Sequence, residues 1–136
     1  MMGGRSKAGL IVAAIMLSVL AHSATSAQEI DRTALPYDAQ MLRLSEILGA
    51  LHYLRQLCNS AEGGVWREQM EALLESEQPD DVRRARMVDR FNRGYETFRS
   101  VYRSCTPSAA LAVDRYADEG ARIAADIVAR YGETDG

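Results

Sequence analysis

Beyond residue 27 the chain has no lysine, and all 14 of its cations there are arginines. They face 19 carboxylates, which leaves that part with a net charge of −5. Such a balance argues against general binding to nucleic acid or anionic membranes, where affinity comes from neutralising phosphates. The arginine bias fits a GC-rich coding sequence better than a recognition role. Histidine is nearly absent as well: only His52 remains after residue 27, with no serine or cysteine in a recognisable nucleophile setting. This excludes the usual ways of assembling a catalytic constellation. Three prolines and few β-branched runs make strands a poor reading, and the two cysteines do not form a Cys-x-x-Cys pair.

What is present begins at the N-terminus. Arg5 and Lys7 precede an apolar stretch, Ala8 to Ala21, of 14 residues. It is shorter than the ~20 residues of a spanning helix and is followed by the small-residue exit Ala24-Thr25-Ser26-Ala27. The pattern predicts a secretory signal peptide over residues 1–27, cleaved before Gln28, with an uncleaved signal anchor as the alternative. Gln28 offers no site for lipid attachment, so the mature chain is expected to have no stable membrane insertion. An extended segment, 28–35, then leads into one domain, 36–131, and a flexible tail, 132–136.

Within 36–131 the apolar residues recur at helical spacing. A first helix is predicted from Pro36 to Cys58, with Tyr37, Met41, Leu44, Leu48, Leu51, Leu54 and Cys58 on its inner stripe. Asn59, Ser60 and the pair Gly63-Gly64 supply a reversal with left-handed backbone freedom. A short helix, Val65–Glu77, carries Trp66, Met70, Leu73 and Leu74. Pro79 with Asp80 and Asp81 reads as the first turn of a third helix that runs to Ser104. On it Val88, Phe91, Tyr95, Phe98, Tyr102 and Cys105 step by three and four. Thr106-Pro107 reads as the N-cap and first-turn proline of a fourth helix, to Tyr131, with Val113, Tyr116, Gly120, Ile123, Ile127 and Tyr131 inward. The fold class is all-α: a small up-down bundle of about four helices. Gly94, in the middle of helix three at a cost of ~1 kcal/mol against alanine, suggests close helix packing, with close approach of a ligand as the other reading.

In an alternating bundle the C-terminal ends of the first and third helices share a pole, so Cys58 and Cys105 can meet. An even cysteine pair in a small exported chain reads as a disulfide. Intermolecular or free thiols, and redox or metal chemistry, are the alternatives. Arg83, Arg86, Arg90 and Arg93 recur by three and four along helix three, away from its aromatic stripe. They form either an interaction surface for a partner's carboxylates or phosphates, or a row paired with the acidic face of helix two. Glu68, Glu71 and Glu75 read as a solvated face more readily than as a cation site. His52 reads as a core-edge residue ahead of a general base or pH sensor. No cofactor and no metal site is expected.

The stretches LGALHYLRQLC, WREQMEALL, FNRGYETFRSVYRSCT and YADEGARIAADIVARYG, in that order after the leader, resemble a family of uncharacterised, exported alphaproteobacterial proteins with two well-separated cysteines. The resemblance implies a Gram-negative periplasm and a pairing of Cys58 with Cys105, and it implies no activity. The functional expectation is a periplasmic accessory protein that acts by binding an envelope protein and not by catalysis. An acid- or stress-responsive holdase chaperone is the alternative, and a small-molecule or metal binder in the bundle interior, or an unrecognised hydrolase, the third reading.

Overall fold

The computed structural model describes residues 34–132, so the expected signal peptide and residues 133–136 lie outside the described residues. From Pro36 onward the chain forms one compact unit of four helices. They are α1 (Asp38–Cys58), α2 (Val65–Glu77), α3 (Asp81–Val101) and α4 (Pro107–Tyr131), with a single 3-10 turn, Ser60–Glu62, between α1 and α2. None of them is long and apolar enough to cross a membrane.

The local chemistry accounts for most boundaries. Thr106 caps α4 as its sequence predicts: its hydroxyl accepts from the Ala109 N–H at 3.1 Å, and Pro107 fills the first turn, where no donor is needed. At α3 the cap is Asp80, whose carboxylate accepts from the Arg83 N–H at 2.8 Å. Pro79 therefore precedes the cap instead of opening the helix. α1 likewise starts at Asp38, two residues after Pro36. The reversal into α2 proceeds without a left-handed Gly64, which caps the helix at φ −103°. Left-handed backbone appears instead at Gln78, φ 42°, where α2 ends. α3 stops at Val101, three residues short of the expected Ser104, because Tyr102 turns extended.

Contacts along the helices fix their directions. Asp38 meets Arg83, Glu46 meets Arg90, and Tyr53 meets Tyr102 on going along α1, so α1 and α3 run parallel. Gln40 meets Asp126 and Arg43 meets Glu119, so α4 runs antiparallel to α1. Tyr37, at the start of α1, meets Glu77, at the end of α2, so α2 is antiparallel too. The up-down-up-down order thus holds. The packing is not a square of equal neighbours, however, because α1 is the axle against which α2, α3 and α4 all lie.

That role explains why α1 is apolar on most of its circumference. Met41, Ile47, Leu48, Ala50, Leu51 and Leu54 are all buried, and so is Ser45, whose hydroxyl donates back to the Met41 carbonyl at 2.9 Å. Two core layers share it. One joins Met41 and Leu48 to Met70 and Leu74 of α2 and Met87 of α3. The other joins Ile47, Leu51 and Leu54 to Ala109 and Val113 of α4. Trp66 packs on both layers.

The inward stripe of α3 differs from expectation. Met87 is fully buried while Val88 is 38% exposed, since α3 meets α1 along a narrow line through Met87 and Gly94. Gly94 is needed there: a Cβ would overlap the Glu46 carbonyl oxygen and stand 2.9 Å from the Ala50 nitrogen. Gly49 does the same from α1, since a Cβ on it would overlap the carbonyl of Phe91. Tyr131 is 41% exposed, although its ring lies 5.2 Å from that of Tyr37.

Candidate functional site

Cys58 and Cys105 form a disulfide with Cα atoms 4.9 Å apart. Cys58 ends α1, but Cys105 lies beyond α3, in the link that precedes the α4 cap. The bond therefore ties the link to the end of α1, and Tyr53 reinforces it from the next turn by donating to the Tyr102 carbonyl. No other cysteine exists in the chain, so no thiol is left for redox or metal chemistry.

The arginine row divides. Arg83 is 14% exposed and holds Asp38 at 2.6 Å and Glu77 at 2.8 Å, fastening α3 to the start of α1 and the end of α2. Its guanidinium also sits 5.6 Å from the centre of the Tyr37 ring. Burial works against its charge, but the two carboxylates outweigh it and raise its pKa further. Arg90 reaches Glu46 of α1 at 3.3 Å, and Arg93 lies 3.7 Å from Asp89 of its own helix. Arg86 is exposed. One member is thus an internal clamp and one a partial clamp, and the continuous open row is reduced to Arg86 and Arg93. The pairing expected with helix two occurs only at Glu77, and Glu68, Glu71 and Glu75 lie exposed. Among the described residues no group of His, Cys, Asp or Glu is placed to hold a metal ion.

Because α2 is short and lies mainly on α1, a cleft opens along each of its flanks. One, of about 490 Å³, separates α2 from α4. Its floor is Leu44, Ile47, Leu48 and Leu51 of α1; Trp66, Gln69 and Leu73 form one wall, with Val65 alongside, and Ala117, Gly120, Ala121 and Ala124 the other. Gln69 is the one polar side chain among these residues. The cleft exists because α4 offers only small side chains where larger ones would close it. Trp66 is fixed by a hydrogen bond from its indole N–H to Glu62 at 3.3 Å.

The other cleft, of about 530 Å³, lies among α1, α2 and α3 and is lined by His52. The imidazole packs obliquely on Phe91 at 5.7 Å and Tyr95 at 5.5 Å. Burial, helped by the positive charge of Arg67, lowers the His52 pKa below its ordinary 6.5. His52 thus lies half-buried at the edge of the core and forms part of the cavity wall. A third hollow, of about 320 Å³, surrounds the Arg43–Glu119 pair. Two hydrogen bonds, at 2.8 and 2.9 Å, join those side chains, and the guanidinium lies 5.3 Å from the Tyr116 ring centre. The hydrogen bond from Arg43 keeps the Glu119 carboxyl below its ordinary range.

A family model described as Protein of unknown function (DUF2385) matches residues 36–131. The chain belongs to that family. The DUF2385 match spans all four helices, both cysteines and every residue of the two α2 clefts. No curated protein and no solved structure matches the chain. The clefts themselves were not legible in the sequence. The spacing of Ala117, Gly120, Ala121 and Ala124 was the available signal for the apolar one.

Proposed function

We propose that this chain is an exported, periplasmic accessory protein that works by holding a protein partner, not by bond chemistry, and that the cleft between α2 and α4 is where it does so. The observation that carries this reading is the cleft itself: an apolar slot with a rigid aromatic wall and a floor of α1 side chains. Slots of this kind receive one or two large apolar anchor side chains of a partner, and such anchors dominate interface energetics. The partner it fits is a surface presenting Leu-, Met- or Phe-sized residues on a helix or loop. The disulfide supports an oxidising compartment.

The test uses a photo-crosslinking residue in place of Ala121, with the same residue in place of Arg86 as the control, in the native envelope. One dominant partner captured from position 121 and not from position 86 supports the cleft. Equal capture from both positions, or none from 121, counts against it.

The holdase reading keeps one specific observation in its favour. α1 is tied to α4 by Arg43–Glu119, and α3 to α1 and α2 by Arg83 with Asp38 and Glu77. On this reading acid weakens these ties, loosens the helices on the axle and exposes its apolar surface. Light scattering from an aggregating client in acid separates the two readings, since a simple adaptor does not suppress it.

A further inference from the structure

The cavity on the other flank of α2 has a different chemistry from the apolar slot. Its apolar lining is Met70 and Leu74 of α2 with Val88 and Phe91 of α3. Polar groups stand around these: His52 from α1, Arg67 and Glu71 from α2, Asn92 and Tyr95 from α3. Its volume, about 530 Å³, is in the range of small-molecule sites, which pair an apolar lining with a few convergent polar groups.

Two further observations bear on what it takes. First, Arg67 and Glu71 sit one helical turn apart on the same wall and form a loose surface pair, 3.4 Å apart, with side chains 69% and 65% exposed. A pair this exposed contributes little to stability and opens at little cost. It places one positive and one negative group side by side in the lining of a part-apolar cavity. Second, His52 of α1 lines the cavity with the rest of its ring, because its Nδ1 is shielded from water and from any occupant. The imidazole packs on the Phe91 and Tyr95 rings, so the three rings form one aromatic part of the lining.

We infer that the α1–α2–α3 cavity binds a small zwitterion with an apolar body, of the class of aromatic and large aliphatic α-amino acids. Arg67 receives the carboxylate, Glu71 the ammonium group, and Phe91, Val88, Met70 and Leu74 the apolar side chain. Asn92 supplies a neutral hydrogen-bonding group from α3. A simple carboxylate leaves Glu71 facing an anion, and a simple amine leaves Arg67 facing a cation, so each half-ligand is disfavoured by the group it fails to satisfy. This site is separate from the α2–α4 slot, and its occupancy does not depend on the partner reading.

The test follows the His52 imidazole resonances of the oxidised protein by NMR at pH 7.5 during titration with phenylalanine, 3-phenylpropanoate and phenethylamine. The expected result is saturable shifts with phenylalanine, with the two half-ligands about two- to fivefold weaker, the size of effect that a contact to an exposed charge carries. Arg67→Ala and Glu71→Gln, both on exposed positions, each weaken phenylalanine by a similar factor while leaving the thermal midpoint unchanged. Val88→Trp, which fills the mouth of the cavity from a part-exposed position, abolishes the shifts. Three probes that bind alike, or shifts absent from all three at millimolar concentration, overturn the inference. So does phenylalanine binding that survives Val88→Trp.

Discussion

Gly49 of α1 and Gly94 of α3 mark one reciprocal contact: each backbone lies where the other helix would otherwise carry a side chain. Gly94 abuts Glu46 and Ala50, which bracket Gly49, and Gly49 abuts Phe91, one turn before Gly94. The atoms in the way are backbone, so neither helix can yield by moving a side chain. Alanine at either position gains about 1 kcal/mol of helix propensity but forces the helices apart. The expected net loss is about 2–3 kcal/mol, read by thermal unfolding. Gly120→Ala is the control, because its Cβ would stand 3.1 Å from a methyl of Ile47, a side chain that can shift. Similar midpoints for Gly94→Ala and Gly120→Ala would show that the close crossing is not what holds α3.

The disulfide closes a loop with a sequence separation of 47. Loop-closure entropy assigns a bond of that span roughly 4 kcal/mol, a large part of the ~5–15 kcal/mol margin of a small domain. The Cys58→Ala, Cys105→Ala double variant is expected to lose about 2–4 kcal/mol, seen as a lower denaturant midpoint with helical circular dichroism retained in buffer. In oxidised material, mass analysis without reductant should find a monomer two hydrogens lighter than the dithiol.

His52 gives the stability a pH dependence of known sign. Its folded pKa lies below the ordinary 6.5, so the unfolded chain takes up a proton first as pH falls. Stability from this residue is complete above about pH 7 and declines as pH drops through about 6.5, levelling once the folded imidazole is also protonated. Replacing His52 with Gln should flatten the midpoint between pH 7.5 and 5.5. An NMR titration that places His52 above 6.5 in the folded protein contradicts the assignment.

Arg83 and Arg86 are three residues apart and should behave differently. Arg83→Ala removes the cation shared by Asp38 and Glu77, whose side chains are 19% and 17% exposed, and is expected to cost about 2 kcal/mol. Arg86→Ala, on the exposed side of α3, should stay within about 0.5 kcal/mol. Equal unfolding midpoints for the two variants would remove Arg83 from the role of clamp.

Helix spacing, the Thr106-Pro107 cap and the cysteine pole were readable because each depends on residues close in sequence or on a simple alternation of helix direction. The exposure of Val88 and the burial of Met87 were not. Which side of α3 faces inward is set by the Gly49–Gly94 crossing, and Gly49, inside the apolar stretch LGALHYL, gives no local sign of its partner. The internal use of Arg83 depended on where Asp38, 45 residues away, came to lie. The clefts were illegible for the same reason. They are spaces left by three helices around an axle, and the periodicity of any one helix is the same whether its neighbour closes the gap or not.

The most direct measurement on the central functional claim is Trp66 fluorescence during titration with the partner captured through position 121. Trp66 is the one tryptophan in the chain and forms a wall of the apolar slot, so occupancy must change its surroundings. A saturable change in emission, lost in Ala121→Arg without a shift in that variant's thermal midpoint, is the expected result. Emission that stays constant while the partner binds, or binding that survives Ala121→Arg, would contradict the slot as the contact.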